Sequence, residues 1–188
     1  MKTELILIGG VPGTGKTTIA YNLALRLKID KVLSIDMVKI FAKTYCHNLD
    51  KYFLTTTHEA YKLENLSITD GYLRHCNIVN NIVLEVIKNI KDNIIIVEGS
   101  TINKDFLNLL DKEKYHITYF NLSLPTNSLI GRYKQKEQLR KSNWIENIYV
   151  IEKIGEYLCQ SNFNIVNDNI DFTMERILEY VKKNIFIQ

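Results

Sequence analysis

Short apolar runs alternate along this chain with longer amphipathic patterns. Leu5–Ile8, Lys31–Ile35, Asn93–Val97, Ile117–Leu122 and Asn164–Val166 read as short strands buried on both faces. Lys16–Lys28 places Ile19, Ala20, Leu23, Ala24 and Leu27 on one face of a helix. Tyr72–Ile90 repeats that spacing at Ile78, Val79, Ile82, Val83, Val86, Ile87 and Ile90. The last segment does so at Ile170, Met174, Ile177, Leu178, Val181 and Ile185. Apolar strands each followed by a helix predict a parallel sheet covered on both sides, a three-layer α/β/α domain with five strands. Asp36–Asp70 breaks the pattern, being polar and aromatic with fragments of helix, within an expected substrate-binding insertion of about residues 36–75. Ligands of such sheets lie at the carboxyl ends of the strands, so an insertion after the second strand is placed to hold a second substrate.

Composition narrows the picture. The 188 residues suit one domain, 1–188, and hydrophobic residues at 46% with charged residues at 24% are the balance of a globular protein. A net charge of +3 is too mild to make nucleic acid or a membrane the expected partner. The N-terminal apolar run is only Leu5-Ile-Leu-Ile8 before Gly9 and Gly10, a strand and not a signal peptide, and a cytoplasmic location is expected. Cys46, Cys76 and Cys159 lie far apart with no histidine at ligand spacing, which reads as reduced thiols.

The strongest chemical signal is Gly10-x-x-x-x-Gly15-Lys16-Thr17, which follows the first strand and opens the first helix. Glycines let backbone N–H groups wrap around phosphates that side chains would otherwise block. Gly10, Val11, Pro12, Gly13, Thr14, Gly15, Lys16, Thr17 and Thr18 are therefore expected to bind ATP, with Lys16 neutralising the transferring phosphates. Thr17 offers a hydroxyl to Mg²⁺, and the helix amino end adds partial positive charge. The other half of a metal site is expected from Glu98, an acid that ends the apolar strand Asn93–Val97.

Three features favour a small kinase over a GTPase-like switch. There is no plain Asn-Lys-x-Asp motif for reading guanine. Asp36 follows the second strand, where its carboxylate can orient an acceptor hydroxyl and take its proton; it also reads as the N-cap of a helix over Met37–Lys43. Residues 132–141 carry five positive charges and one negative, which suits a basic lid over residues 126–142. Arg132, Lys136 and Arg140 share one helical face there, and Arg132 and Arg140 are the candidates for stabilising the transferring group. Asn167 and Asp168 after the last strand are positional candidates for contacting the base.

With these residues in view, the chain resembles the archaeal 2-phosphoglycerate kinases and their P-loop kinase relatives. The resemblance is carried in order by Ile8–Ala20, His58–Lys62, Gly71–His75 with Val79, Ile96–Gly99, Ile148–Leu158 and Ile165–Asp168. It implies a nucleotide-kinase-like fold and phosphorylation of a small anionic, hydroxylated metabolite such as 2-phosphoglycerate, with ATP and Mg²⁺. It also implies Arg74 as a ligand for a substrate phosphate or carboxylate, with His58, Glu59, Tyr61 and His75 lining the same cavity, beside Asp36 and Glu98. Two departures bear on the substrate. The family carries an extra N-terminal domain, whereas this sequence opens on its first strand, and the family's Glu-Gly-Val-His segment is here Glu98-Gly99-Ser100-Thr101. Two other classes stay open: a kinase of a polynucleotide 5′-hydroxyl or of an activated sugar, and a non-kinase ATPase. The last would leave Asp36 and Arg74 without a task.

Overall fold

The computed structural model describes residues 2–137, 144–159 and 164–186. In chain order the elements are β1 (Thr3–Gly9), α1 (Lys16–Leu27), β2 (Val32–Ser34), α2 (Ile35–Tyr45), α3 (Lys51–Leu54), a 3₁₀ turn (Ala60–Leu63) and α4 (Ile68–Asn89). There follow β3 (Ile94–Glu98), α5 (Lys104–Leu109), β4 (Tyr115–Ser123), α6 (Thr126–Glu137), α7 (Ile148–Leu158), β5 (Asn164–Val166), α8 (Ile170–Val181) and a π-helical turn (Lys182–Phe186). The five strands form one sheet in the order β2-β3-β1-β4-β5, and every pairing is parallel. The predicted three-layer α/β/α architecture is the observed one.

Period-two alternation within continuous apolar strands explains why both faces are covered. On β1, Ile6 and Ile8 enter a core with Ile19 and Leu23 of α1 and Met174, Ile177 and Val181 of α8. Leu5 and Leu7 enter the opposite core with Val79, Val83 and Ile87 of α4, Ile35 of α2 and Phe106 of α5. A third cluster lies under the nucleotide loop, where Val11 meets Leu129 and Tyr133 of α6 and Ile151 and Ile154 of α7.

Two local expectations are corrected. The second strand stops at Ser34, because α2 begins at Ile35 without a connecting loop. Asp36 is therefore not an N-cap. Ser34 holds that position, and its hydroxyl is turned to Glu98 and makes no cap bond. Asp36 sits in the first turn, where its charge still suits the positive end of the helix.

The insertion after β2 is α2, α3, the 3₁₀ turn and the start of α4, anchored by the buried rings of Tyr52, Phe53 and Tyr72. The 3₁₀ turn crosses α4 so closely that a Cβ on Gly71 would lie 2.3 Å from the Tyr61 backbone. Asn103 caps the short α5 by accepting from Phe106 N at 3.0 Å. Among the described residues no helix is long and apolar enough to cross a membrane. Cys46, Cys76 and Cys159 are free.

Candidate functional site

The loop between β1 and α1 is held open by three glycines with positive φ: Gly10 (134°), Gly13 (82°) and Gly15 (92°). Each is also hemmed in. A Cβ on Gly10 would sit 2.3 Å from Leu122 O, and one on Gly13 would sit 2.4 Å from the Tyr133 ring. Inside the loop, Thr14 Oγ1 donates to Val11 O at 2.9 Å, and Lys16 Nζ donates to the same carbonyl at 3.0 Å. These bonds shape a concave run of backbone that an anion can enter without a side chain in its way.

A cleft of ≈ 300 Å³ opens beside the loop at the carboxyl ends of the strands. Gly13, Lys16, Thr17 and Thr18 form one wall, and Asp36, His58 and Glu98 lie on the lining with them. Sequence-distant candidates thus meet in one place because β1, β2 and β3 are adjacent and parallel. Ser34 and Glu98 are register partners across β2 and β3, and Ser34 Oγ donates to Glu98 Oε1 at 2.6 Å. Glu98 is buried, with 2% of its surface exposed, yet it borders the cleft. Thr17 and Glu98 supply oxygen donors, the chemistry that Mg²⁺ prefers, and a single carboxylate beside phosphate oxygens is its usual protein complement. Among the described residues no group of three or more His, Cys, Asp or Glu could hold a transition metal by itself.

Other predicted residues lie elsewhere. Arg74 is not on the cleft lining. Its guanidinium pairs with Glu64 at 2.5 Å and stacks over the Tyr52 ring at 5.0 Å, so its charge is already matched at the surface. Its place on α4, one position before the buried His75, turns it away from the site. Glu59 and Tyr61 are also off the lining. Glu59 accepts from Thr56 Oγ1 at 2.8 Å, and Tyr61 lies against Gly71.

Arg132 is not on the cleft lining either. It donates to Gly13 O at 3.3 Å and to Asn167 O at 2.8 Å, clamping the loop to the end of β5. Asn167 is fully buried and donates to Thr14 O at 2.7 Å, which ties its amide nitrogen to the loop. Asp168 is exposed and accepts from Asn169 N. Arg140 and Lys141 lie outside the described residues, as does the side chain of Lys136.

Several lining residues were not singled out from sequence: Lys39, Thr56, Thr57, Ser100, Thr101 and Trp144. Lys39 had a signal, since it follows Asp36 by three positions on a helix and shares its face. Its ammonium donates to Thr55 O at 2.9 Å and lies 3.3 Å from His75 Nε2. His75 Nδ1 is 2.7 Å from Tyr52 O, and a carbonyl can only accept, so Nδ1 carries the proton and Nε2 offers its lone pair to Lys39. Burial first, then the neighbouring Lys39 charge, push His75 down to about 3, in keeping with that neutral tautomer. Burial and then Lys43 bring Lys39 down to about 8, against the opposing pull of Asp36. Ser100 and Thr101 follow Glu98 in the segment that departs from the family's, whereas Thr56, Thr57 and Trp144 belong to no motif and only folding brings them here.

No family model matches this sequence. Over 204 aligned residues, 94% of this chain and 64% of the relative, it is 25% identical to a 2-phosphoglycerate kinase of Methanococcus vannielii. Over 103 residues, 50% of each protein, it is 30% identical to a mevalonate-3-phosphate 5-kinase of Thermoplasma acidophilum. The chain thus spans 64% and 50% of the length of these two curated relatives. Among solved structures, a shikimate kinase from Bacteroides thetaiotaomicron matches with a TM-score of 0.55 at 17% identity, over 95% of this chain and 96% of that one. A putative kinase from Chloroflexus aurantiacus matches with a TM-score of 0.60 at 15% identity, over 98% and 100%. The resemblance to 2-phosphoglycerate kinases drawn from the motifs is met by these relatives, and the solved structures share the P-loop kinase fold.

Proposed function

We propose that this chain is a kinase that moves the γ-phosphoryl group of Mg-ATP to a hydroxyl of a small anionic metabolite, 2-phosphoglycerate or a compound like it. One observation carries the reading: the phosphate loop and the acidic residue Asp36 line a single cleft of ≈ 300 Å³, a size for a metabolite. The names of the curated relatives point the same way, since both act on phosphorylated small hydroxy acids or alcohols by name.

Each residue then has a task. Backbone N–H groups of residues 13–18 receive the triphosphate, and Lys16 leaves its resting bond to Val11 O to neutralise it. Thr17 and Glu98 would hold Mg²⁺, which when bound would supply charge neutralisation on the phosphate oxygens. Asp36 accepts the proton of the acceptor hydroxyl as that oxygen bonds to the γ-phosphorus and the bond to ADP breaks. Arg132 acts indirectly, by keeping the loop seated on β5. Arg140 keeps its place as a candidate for contacting the transferring group.

The test is a screen of hydroxylated phosphometabolites for acceptor-stimulated ADP release, with Lys16→Ala as the inactive control. Asp36→Asn should bind ATP normally and lose about 100-fold or more in transfer. Equal turnover in that variant removes Asp36 from the mechanism. Hydrolysis of ATP at a useful rate that no acceptor stimulates would overturn the kinase reading altogether.

A further inference from the structure

The cleft contains a positive charge that the phosphate loop does not use. We propose that Lys39 anchors the acceptor by its anionic group, a carboxylate or phosphate monoester, while the acceptor hydroxyl lies at Asp36. The assignment deepens the kinase reading above and rests on it.

Lys16 and Lys39 are the two lysines on the cleft lining, and no arginine lies there among the described residues. Lys16 belongs to the triphosphate. Lys39 lies one helical turn beyond Asp36 on the same face of α2, so the two groups address one bound molecule from one helix. An ammonium group has three N–H donors. Two are directed by the structure, one to Thr55 O and one to His75 Nε2.

Both partners are neutral. His75 is itself fixed by Tyr52 O in the tautomer that can only accept from Lys39, so it orients the ammonium without cancelling its charge. Lys39 makes no ion pair among the described residues, whereas Arg74 is matched by Glu64. A half-buried cation whose direct hydrogen-bond partners are both neutral, with the Asp36 carboxylate acting only at longer range, is completed at the cleft by an anion. Thr101 adds a neutral group to the lining: its hydroxyl is buried and, among the described residues, has no hydrogen-bond partner.

The experiment separates this assignment from the kinase reading. Calorimetric titrations with ADP and Mg²⁺ present would use 2-phosphoglycerate, glycerate, inorganic phosphate and glycerol on wild type, Lys39→Met and Lys39→Arg. Wild type should bind one or more of the anions and prefer it to glycerol, and the glycerate and phosphate arms show which anionic group is received. Lys39→Met should weaken anion binding about 10- to 100-fold, the loss expected for one charged hydrogen bond, and Lys39→Arg should recover part of it. ADP affinity should stay within about twofold, because the loop is untouched. In turnover assays the same variant should raise acceptor KM more than it lowers kcat.

Anion affinity unchanged in Lys39→Met, or no anion bound by wild type, overturns the assignment. Phosphorylation of a neutral polyol by wild type as efficiently as of any of the anions, unchanged in Lys39→Met, would do the same and leave the kinase reading standing. Loss of anion binding in Lys39→Met, with no acceptor-stimulated ADP release by wild type, would keep the anion site and sink the kinase.

Discussion

His75 illustrates how far a residue's role departs from its type. Its ring is fully buried between Tyr52 O and Lys39, and its pKa falls to about 3. The unfolded chain takes up a proton near the ordinary value of 6.5, and the folded chain does not. Stability from this group is therefore complete above about 6.5 and is lost as pH falls toward about 3. Between pH 6.5 and pH 5 the loss should be about 2 kcal/mol, read from urea midpoints. His75→Gln should be less stable at neutral pH but should flatten that slope; an unchanged slope would assign the acid sensitivity elsewhere. At the same scale, Lys16→Ala should abolish ATP binding as measured by nucleotide titration, since Lys16 is the one loop side chain that brings a positive charge to the phosphates.

At the scale of elements, glycines that look alike in sequence divide by their surroundings. Gly10 combines a φ of 134° with a Cβ position 2.3 Å from Leu122 O, a backbone atom of β4 that cannot step aside. Gly10→Ala should push β1 and β4 apart or displace the loop, lowering stability by about 2 kcal/mol or more and weakening ATP binding. Gly131, within α6, has nothing within 4 Å of its Cβ position. Gly131→Ala should raise stability by about 0.5–1 kcal/mol through helix propensity, a gain in melting temperature that leaves ATP affinity alone. The same element scale explains Arg132. Helix α6 packs Leu129 and Tyr133 beneath the loop, and Tyr133 Oη donates to Pro12 O at 2.7 Å, so the arginine beside it reaches carbonyls of the loop and of β5.

At the scale of the whole molecule, the loop is tied to the far edge of the sheet. Asn167, just after β5, donates to Thr14 O, and Arg132 bridges Gly13 O and Asn167 O. Asn167→Ala should remove a fully buried hydrogen bond, costing about 1–3 kcal/mol of stability. The thermal shift produced by saturating ATP should shrink with it, because nucleotide binds only the ordered loop. A variant that loses stability but keeps the full ATP shift would show that the tie supports the fold and not the site.

Much of the architecture was legible from local patterning. Apolar strands such as Leu5–Ile8 and Asn93–Val97, the helical period of α1, α4 and α8, and the glycine spacing of residues 10–15 depend on neighbours in sequence. Chain-local geometry was enough to place Lys16 and Thr17 at the start of α1 beside the glycine loop and Glu98 at a strand end. Residues that depend on what packs beside them were not legible. Arg74 and Arg132 carry the right chemistry, yet Glu64 and the carbonyls of Gly13 and Asn167 claim them. Lys39 looked like any surface lysine of a polar insertion until Thr55 at the end of α3 and His75 of α4 closed around it. Sequence thus settled the donor loop, because backbone conformation there follows from glycines in a row. Which residues share the cleft with that loop was decided by folding, because side chains from α2, α4 and the β3 terminus meet only once the parallel strands bring their ends together.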